Sequence, residues 1–196
     1  MIGIVGAGGI GQAFASHVAR AGYEVIVSNS RGPDSLAKLV SELGPHARAG
    51  TRAQAAQADV VFLSVRWEQV TDALAGLPGW GGRIVIDATN PILPGFRPAE
   101  LNGSTSSEVV ASLVPGARVV KAVNTLPVAL LASDPREAGG QRVLFLSGDD
   151  AEAKAQVGGI LAKAGFATVD LGGLASGGRL QQFGGPLPAL NLIKLS

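Results

Sequence analysis

The chain contains no cysteine. Disulfides, thiolate catalysis and cysteine-based metal sites are therefore excluded. Only two histidines occur, His17 and His46, far apart and without ligand-like spacing, so no metal site is expected. Tyr23 is the single tyrosine and has no lysine four residues on, which removes a Tyr-x-x-x-Lys acid–base pair. Charge is scarce as well. With a net charge of +1 and 16% charged residues, there is no basic field for nucleic acid or for a membrane surface. No apolar run reaches the roughly 18 residues of a membrane span. The opening "MIGIVGAGGIGQAFA" lacks the charged start of a secretory leader. These absences predict a soluble, cytoplasmic protein with neither nucleic-acid nor membrane partners.

What is present is apolar and rhythmic. Hydrophobic residues make up 46% of 196, enough for a large core. Short Val/Ile-rich runs recur at 2–5, 24–28, 59–65, 83–88, 118–123, 142–147 and 166–171, and "ARAG" (47–50) adds a weaker one. They are continuous rather than alternating, the pattern of strands buried on both faces. Helix-length segments lie between them. "DSLAKLVSEL" (34–43) is expected to start on Asp34 as its cap, and Leu36, Leu39, Val40 and Leu43 stand at helical spacing. Thr51 with Gln54, and Thr105 with Glu108, match capping boxes. Residues 150–165 read as a helix whose Gly158–Gly159 pair marks a close crossing. The reading is α/β: a single doubly wound domain over 1–171, with a mostly parallel sheet of about eight strands, followed by a C-terminal segment, 172–196.

The glycines of "IGIVGAGGIGQAF" stand at motif spacing. Gly6, Gly8 and Gly11 form G-x-G-x-x-G after an apolar strand and at the mouth of an apolar-periodic helix. Gly6 makes the tight turn, Gly8 admits a pyrophosphate to the backbone, and Gly11 lets helix pack on strand. Gly9 and Ile10 complete the turn, whose free N–H groups and positive helix end suit an anion. This is the dinucleotide loop of a Rossmann domain.

A second strand in such a domain commonly ends on an acid that holds the ribose hydroxyls. Here it ends on Ser28, Asn29, Ser30 and Arg31, with no carboxylate. An acid would repel a 2′-phosphate, whereas hydroxyls, an amide and a guanidinium satisfy one. NADP(H) is therefore favoured over NAD(H), the alternative being a solvated turn.

The remaining candidates are strand ends, where ligands of doubly wound sheets lie. They are "SVRW" (Ser64, Val65, Arg66, Trp67), "DATNP" with Asn90 and Pro91, and "KAVNT" with Asn124. Both asparagines are read as amides holding a carboxamide or a ring oxygen, against the alternative of turn residues. Trp67 either covers the cofactor or packs at a helix start. Lys121 either pairs with Asp87 or meets an anionic substrate. No side chain is nominated as a catalytic acid or base. Hydride transfer between two stacked rings held in register does not require one.

The stretches "GAGGIGQAFASHVARAGYEVIVSNSRGP", "VIDATNP", "VVKAVNT" and "GGLASGGRLQQFGGPL" together resemble the NADPH-dependent reductases of coenzyme F-420, a deazaflavin, in their short bacterial form. The similarity runs from Met1 to about Leu187. It implies NADPH along the glycine loop and Ser28–Arg31, nicotinamide beside the strand ends, and a deazaflavin hydride acceptor stacked over it. It also implies a homodimer in which the C-terminal segment, with Leu180, Phe183, Leu187 and Leu190, reaches the partner and helps close the acceptor pocket. Related reductase domains serve flavin and ferric reduction, and a redox sensor that binds NADPH without turnover is a third reading.

Overall fold

The computed structural model describes residues 1–195. Its first half alternates strand and helix: β1 (Ile2–Val5), α1 (Gly9–Arg20), β2 (Val25–Ser28), α2 (Ala37–Leu43), β3 (Ala47–Ala49), α3 (Arg52–Ala55), β4 (Val60–Leu63), α4 (Val70–Leu74) and β5 (Ile84–Asp87). A small hairpin follows, β6 (Ile92–Leu93) and β7 (Arg97–Pro98), and then α5 (Ser106–Leu113) and β8 (Arg118–Ala122). The last part comprises α6 (Val128–Ala132), β9 (Arg136–Glu137), β10 (Gly140–Gly148), α7 (Ala151–Lys163), β11 (Ala167–Asp170), α8 (Gly177–Gln181) and β12 (Ile193–Leu195). All eight expected strands form one sheet in the order β11-β10-β8-β5-β4-β1-β2-β3.

The continuous apolar runs are explained by burial on both faces. Side chains alternate across a strand. Ile2, Ile4, Val25, Val27, Val60, Phe62, Ile84 and Ile86 pack with Phe14 and Val18 of α1 and with Val157 and Leu161 of α7. Val5, Ile26, Val61, Leu63 and Val85 pack on the other face with Ala55, Val70, Leu74 and Val110. Gly3 has a separate reason for lacking a side chain: a Cβ there would stand 1.8 Å from the carbonyl oxygen of Ala55, so α3 rests directly on the β1 backbone.

The strands from β3 to β8 are parallel, but β10 runs antiparallel to β8, pairing Leu146 with Ala122. The connection between them carries the five-residue α6 and the short strand β9. Beyond that pairing, the start of β10 collects β9 and β12 as short partners.

Two local expectations need correction. Asp34 caps no α-helix: a 3₁₀ turn spans Pro33–Leu36, and α2 begins at Ala37 with no side-chain cap. The cause is local, because Asn29 and Gly32 hold Ser35 through its hydroxyl and tighten the first turn. Of the four apolar residues noted in this segment only Leu36 is fully buried. Gly158 and Gly159 mark no close crossing either. A Cβ on Gly158 would find ordinary contacts beyond 3.6 Å, and one on Gly159 would find open space. Both capping boxes form as expected.

His17 of α1 is buried against Phe166, with its Nε2 donating to the Leu131 carbonyl at 2.6 Å. Burial lowers its pKa below 6.5, while that carbonyl works in the opposite direction. Below pH 6.5 the unfolded chain then binds more protons than the folded one, so stability falls as the pH drops towards the folded pKa and levels off beyond it. We predict that His17→Gln removes this slope. Urea midpoints of the two proteins at about pH 5 and pH 7.5 test it, and parallel changes in both would contradict the assignment. Among the described residues, no helix is long and apolar enough to cross a membrane.

Candidate active site

The carboxyl ends of β1, β2 and β4 open into a cleft of about 960 Å³. Its floor is the first glycine turn, Val5 to Gly8, which leads into α1. The helix starts at Gly9 with no side-chain cap and no acid in its first turn. Its amino-terminal N–H groups and positive dipole end are thus open to an anion.

Each glycine of the motif answers to a different neighbour. Gly6 has φ of +108°, and a Cβ would lie 2.1 Å from the Ser64 carbonyl oxygen. A Cβ on Gly11 would lie 2.0 Å from the Gly6 carbonyl oxygen, the helix-on-strand contact expected of it. Gly9 is kept small by Val128 of α6, 2.9 Å from where its Cβ would be. Ile10 packs half-buried into the core. Gly8 differs from all of them. Its φ is ordinary at −75°, and a Cβ would meet nothing within 4 Å. No neighbouring atom requires glycine there, and the position lines the cleft.

At the end of β2 the four polar residues divide into two kinds. Ser28 is buried and its hydroxyl donates to the Ile4 carbonyl at 2.7 Å. Asn29 accepts from the Arg31 backbone N–H at 3.0 Å, an Asx turn that shapes the loop. Ser30 and Arg31 are exposed, and among the described residues their side chains have no hydrogen bond or ion pair. The first pair builds the loop and the second faces the cleft. Ser64, Val65 and Arg66 line the opposite wall. Arg31, Arg52 and Arg66 outnumber the single acid, Asp72, so the cleft suits a polyanion.

Thr51, Arg52, Gln69, Asp72 and Ala73 also line the cleft, and the motifs did not single them out as ligands. Arg52 is fixed there by donating to the backbone carbonyls of Asp72 and Ala75. The available signal was the Thr51 capping box, which starts a helix beside the carboxyl end of edge strand β3 with a guanidinium in its first turn.

Asn90, Pro91 and Asn124 stand at the neighbouring strand ends, outside the cleft lining. The two asparagines bind each other: Asn90 donates to the Asn124 carbonyl at 2.8 Å, and Asn124 donates to Asn90 Oδ1 at 3.0 Å. Both are also tied to the C-terminal segment. Asn124 donates to the Gln181 carbonyl at 2.6 Å, and the Phe183 N–H donates to Asn90 Oδ1 at 3.1 Å. Gln181 is fully buried. It donates to Lys121 O and to Asn124 Oδ1, and accepts from Ser147. Val123, just before Asn124, has φ of +65°, a strained conformation for a β-branched residue. The hydrogen bonds around Asn124 hold that sharp exit from β8.

Beneath these strand ends lies an enclosed ionic cluster. Lys121 and Asp87 are both 0% exposed, with Nζ 3.3 Å from Oδ2. Lys121 also donates to Thr89 O and to Ser106 Oγ, both at 3.0 Å. Asp87 accepts from the Thr89 N–H and hydroxyl and from Ser107 Oγ. Burial lowers the Lys121 pKa below 10.5, with Asp87 opposing the shift. Lys121 is therefore a structural partner of Asp87 and does not meet a substrate. Trp67 packs half-buried against the second core cluster, as a helix-start residue does.

The chain is similar to known proteins over most of its length. A family model described as NADP oxidoreductase, coenzyme F420-dependent, matches residues 1–91. A crystal structure of a hypothetical protein, SMa0349, from Sinorhizobium meliloti is 49% identical, with a TM-score of 0.93 over 99% of this chain and 96% of that one. A provisionally assigned F420-dependent NADP-reductase from Arthrobacter sp. FB24 is 30% identical, with a TM-score of 0.74 over 88% of this chain and 84% of that one. Among curated proteins, metalloreductase STEAP3 of Rattus norvegicus is 30% identical over 176 residues, which are 89% of this chain. The match covers 34% of that protein, so the chain spans about a third of the length of the curated relatives it matches.

Proposed function

This chain belongs to the family of coenzyme F420-dependent NADP oxidoreductases, and from that membership we propose that it passes hydride between NADP(H) in the cleft and a deazaflavin or flavin-like acceptor. The carrying observation is at the end of β2, where the guanidinium of Arg31, unpartnered among the described residues, lines the cleft in place of a ribose-binding acid.

In this reading the pyrophosphate lies on the turn from Gly6 to Gly11, against the open end of α1. Ser30 and Arg31 take the 2′-phosphate. Ser64, Val65 and Arg66 border the path to the nicotinamide, which lies towards Asn90, Pro91 and Asn124. NADPH supplies the hydride. The chain binds it, orients it and excludes water, and no side chain is assigned as acid or base. Residues 172–196 form the segment that helps close the acceptor pocket, although Ser196 lies outside the described residues. Leu180, Leu190, Leu192 and Leu195 of that segment are exposed. These exposed leucines support a homodimer, which light scattering reads directly, whereas Phe183 is half-buried and Leu187 packs against the cluster of Val143, Phe145 and Ala167. The protein is taken to work in the cytoplasm.

Arg31→Ala tests the cofactor assignment. A charge-assisted bond of roughly 1.5–3 kcal/mol corresponds to about a ten- to hundredfold weaker affinity for NADPH. NADH affinity should hardly move. Equal losses for both cofactors in a titration would show that Arg31 does not read the phosphate.

The metalloreductase similarity supports a second reading, NADPH-dependent flavin or ferric reduction. NADPH oxidation with coenzyme F-420, FMN, FAD, ferric chelates and quinones separates the readings. Turnover with the deazaflavin is expected. Turnover with ferric chelate alone would transfer the assignment to metal reduction, and tight NADPH binding without any turnover would make the protein a redox sensor.

A further inference from the structure

The hairpin of β6 and β7 leaves the carboxyl end of β5 immediately after Asn90 and Pro91. Its loop is Pro94-Gly95-Phe96, closed by the Leu93–Arg97 pair. Gly95 has φ of +79° and Phe96 has φ of +57°. The left-handed conformation favours glycine or asparagine in such loops, and a bulky aromatic residue there is an outlier. Phe96 gains no packing in return, since it is 81% exposed, the most exposed of the large apolar side chains. A large apolar residue that is strained and solvated contributes nothing to folding. Its presence therefore points to something outside the chain.

Its place in the fold narrows the choice. The dinucleotide cleft crosses the ends of β2, β1 and β4, and β5 is the next strand in the sheet. Strand β6 packs on the 3₁₀ turn Trp67–Gln69, in which Gln69 lines the cleft and which Arg66 precedes. The hairpin thus stands at the ligand end of the sheet, on the side away from the adenosine loop. Arg97 is also exposed there, with Nε donating only to the Pro94 carbonyl at 3.3 Å.

We propose that Phe96 is an acceptor-binding residue, presenting its ring as a stacking face for a planar heteroaromatic hydride acceptor. The inference rests on the functional reading above and adds the residue that selects for a flat ring. An aromatic face favours offset stacking with such a ring and offers little to a hydrated metal chelate. The ring is left accessible to a ligand by its exposure.

The test uses the full-length protein saturated with NADP⁺, so that binding is read without turnover. Coenzyme F-420 and FMN are titrated against wild type, Phe96→Ala, Phe96→Tyr and Phe96→Gly. Phe96→Ala is expected to weaken binding of at least one ring about tenfold, Phe96→Tyr to restore it, and NADP⁺ affinity to stay constant across the series. Phe96→Gly should raise the urea midpoint while losing ring binding, a split that a merely structural residue would not give. Equal affinity of wild type and Phe96→Ala for every ring that binds overturns the proposal, as does failure of both rings to bind the wild type. A change in oligomeric state with unchanged ring binding also overturns it, and would assign Phe96 to contact between copies. NADP⁺ affinity, read separately, tells failure of the dinucleotide site from failure of this inference.

Discussion

Replacing Gly8 with valine is expected to abolish NADP(H) binding while leaving the fold intact. The expectation follows from a contrast within one motif. A Cβ on Gly6 or Gly11 would collide with backbone carbonyl oxygens at 2.1 and 2.0 Å, so substitutions there must move the chain. A Cβ on Gly8 meets no protein atom within 4 Å, and its φ of −75° is open to any residue. Valine at this position therefore costs the free protein little, apart from the small loss of rotamer freedom of a branched side chain. It would, however, occupy the space above the turn where a pyrophosphate must approach the first N–H groups of α1. Loss of that approach should weaken binding by at least a hundredfold, about 2.7 kcal/mol or more. Far-UV circular dichroism and the urea midpoint should match wild type. Gly11→Ala is the control in the other direction, expected to lower the midpoint. If the Gly8 variant retained NADPH affinity, the cofactor would lie elsewhere.

The second large effect is expected at Lys121. Lys121→Met removes the cation from a cluster in which both charges are fully buried and leaves Asp87 without its ionic partner. Breaking a buried pair from one side costs roughly 3–5 kcal/mol, because the remaining charge is neither solvated nor neutralised. Replacing both residues with apolar ones of similar volume should recover most of that loss, since the desolvation cost disappears with the charges. The double variant Asp87→Leu/Lys121→Met is therefore expected to be more stable than Lys121→Met alone. The pH dependence provides an independent check. With its pKa held below 10.5, folded Lys121 binds fewer protons than the unfolded residue between the folded pKa and 10.5. Stability should then rise with pH across that window in wild type, and the rise should be missing in Lys121→Met. A single variant within about 1 kcal/mol of wild type would mean that the cluster is not maintained as an ion pair.

The strand ends were hard to interpret locally. Asn90 and Asn124 have the chemistry of ligand-holding amides, and nothing near them in sequence shows the hydrogen bonds they make within the chain. Their partners come from Gln181 and Phe183, in a glycine-rich segment with no periodic signal. Lys121 was a comparable ambiguity, and Asp87, Thr89 and Ser106 resolve it.

The eight strands of the main sheet, the glycine turn and both capping boxes were legible in the sequence. Each rests on short-range physics: runs apolar on both faces, glycines at fixed offsets, and a hydroxyl three residues from its N–H. Only the folded chain shows the direction of β10, which runs antiparallel to β8. It also shows what each motif glycine meets: a Cβ on Gly6, Gly9 or Gly11 would collide with Ser64, Val128 or Gly6, and one on Gly8 would meet nothing within 4 Å. The same holds for Ser28 and Arg31, polar residues of one loop: Ser28 is bound to the Ile4 carbonyl, and among the described residues the Arg31 side chain has no partner. The physical reason is common to all of these. A side chain's chemistry is local, but whether its hydrogen bonds and its space remain available depends on neighbours that only the folded chain brings together.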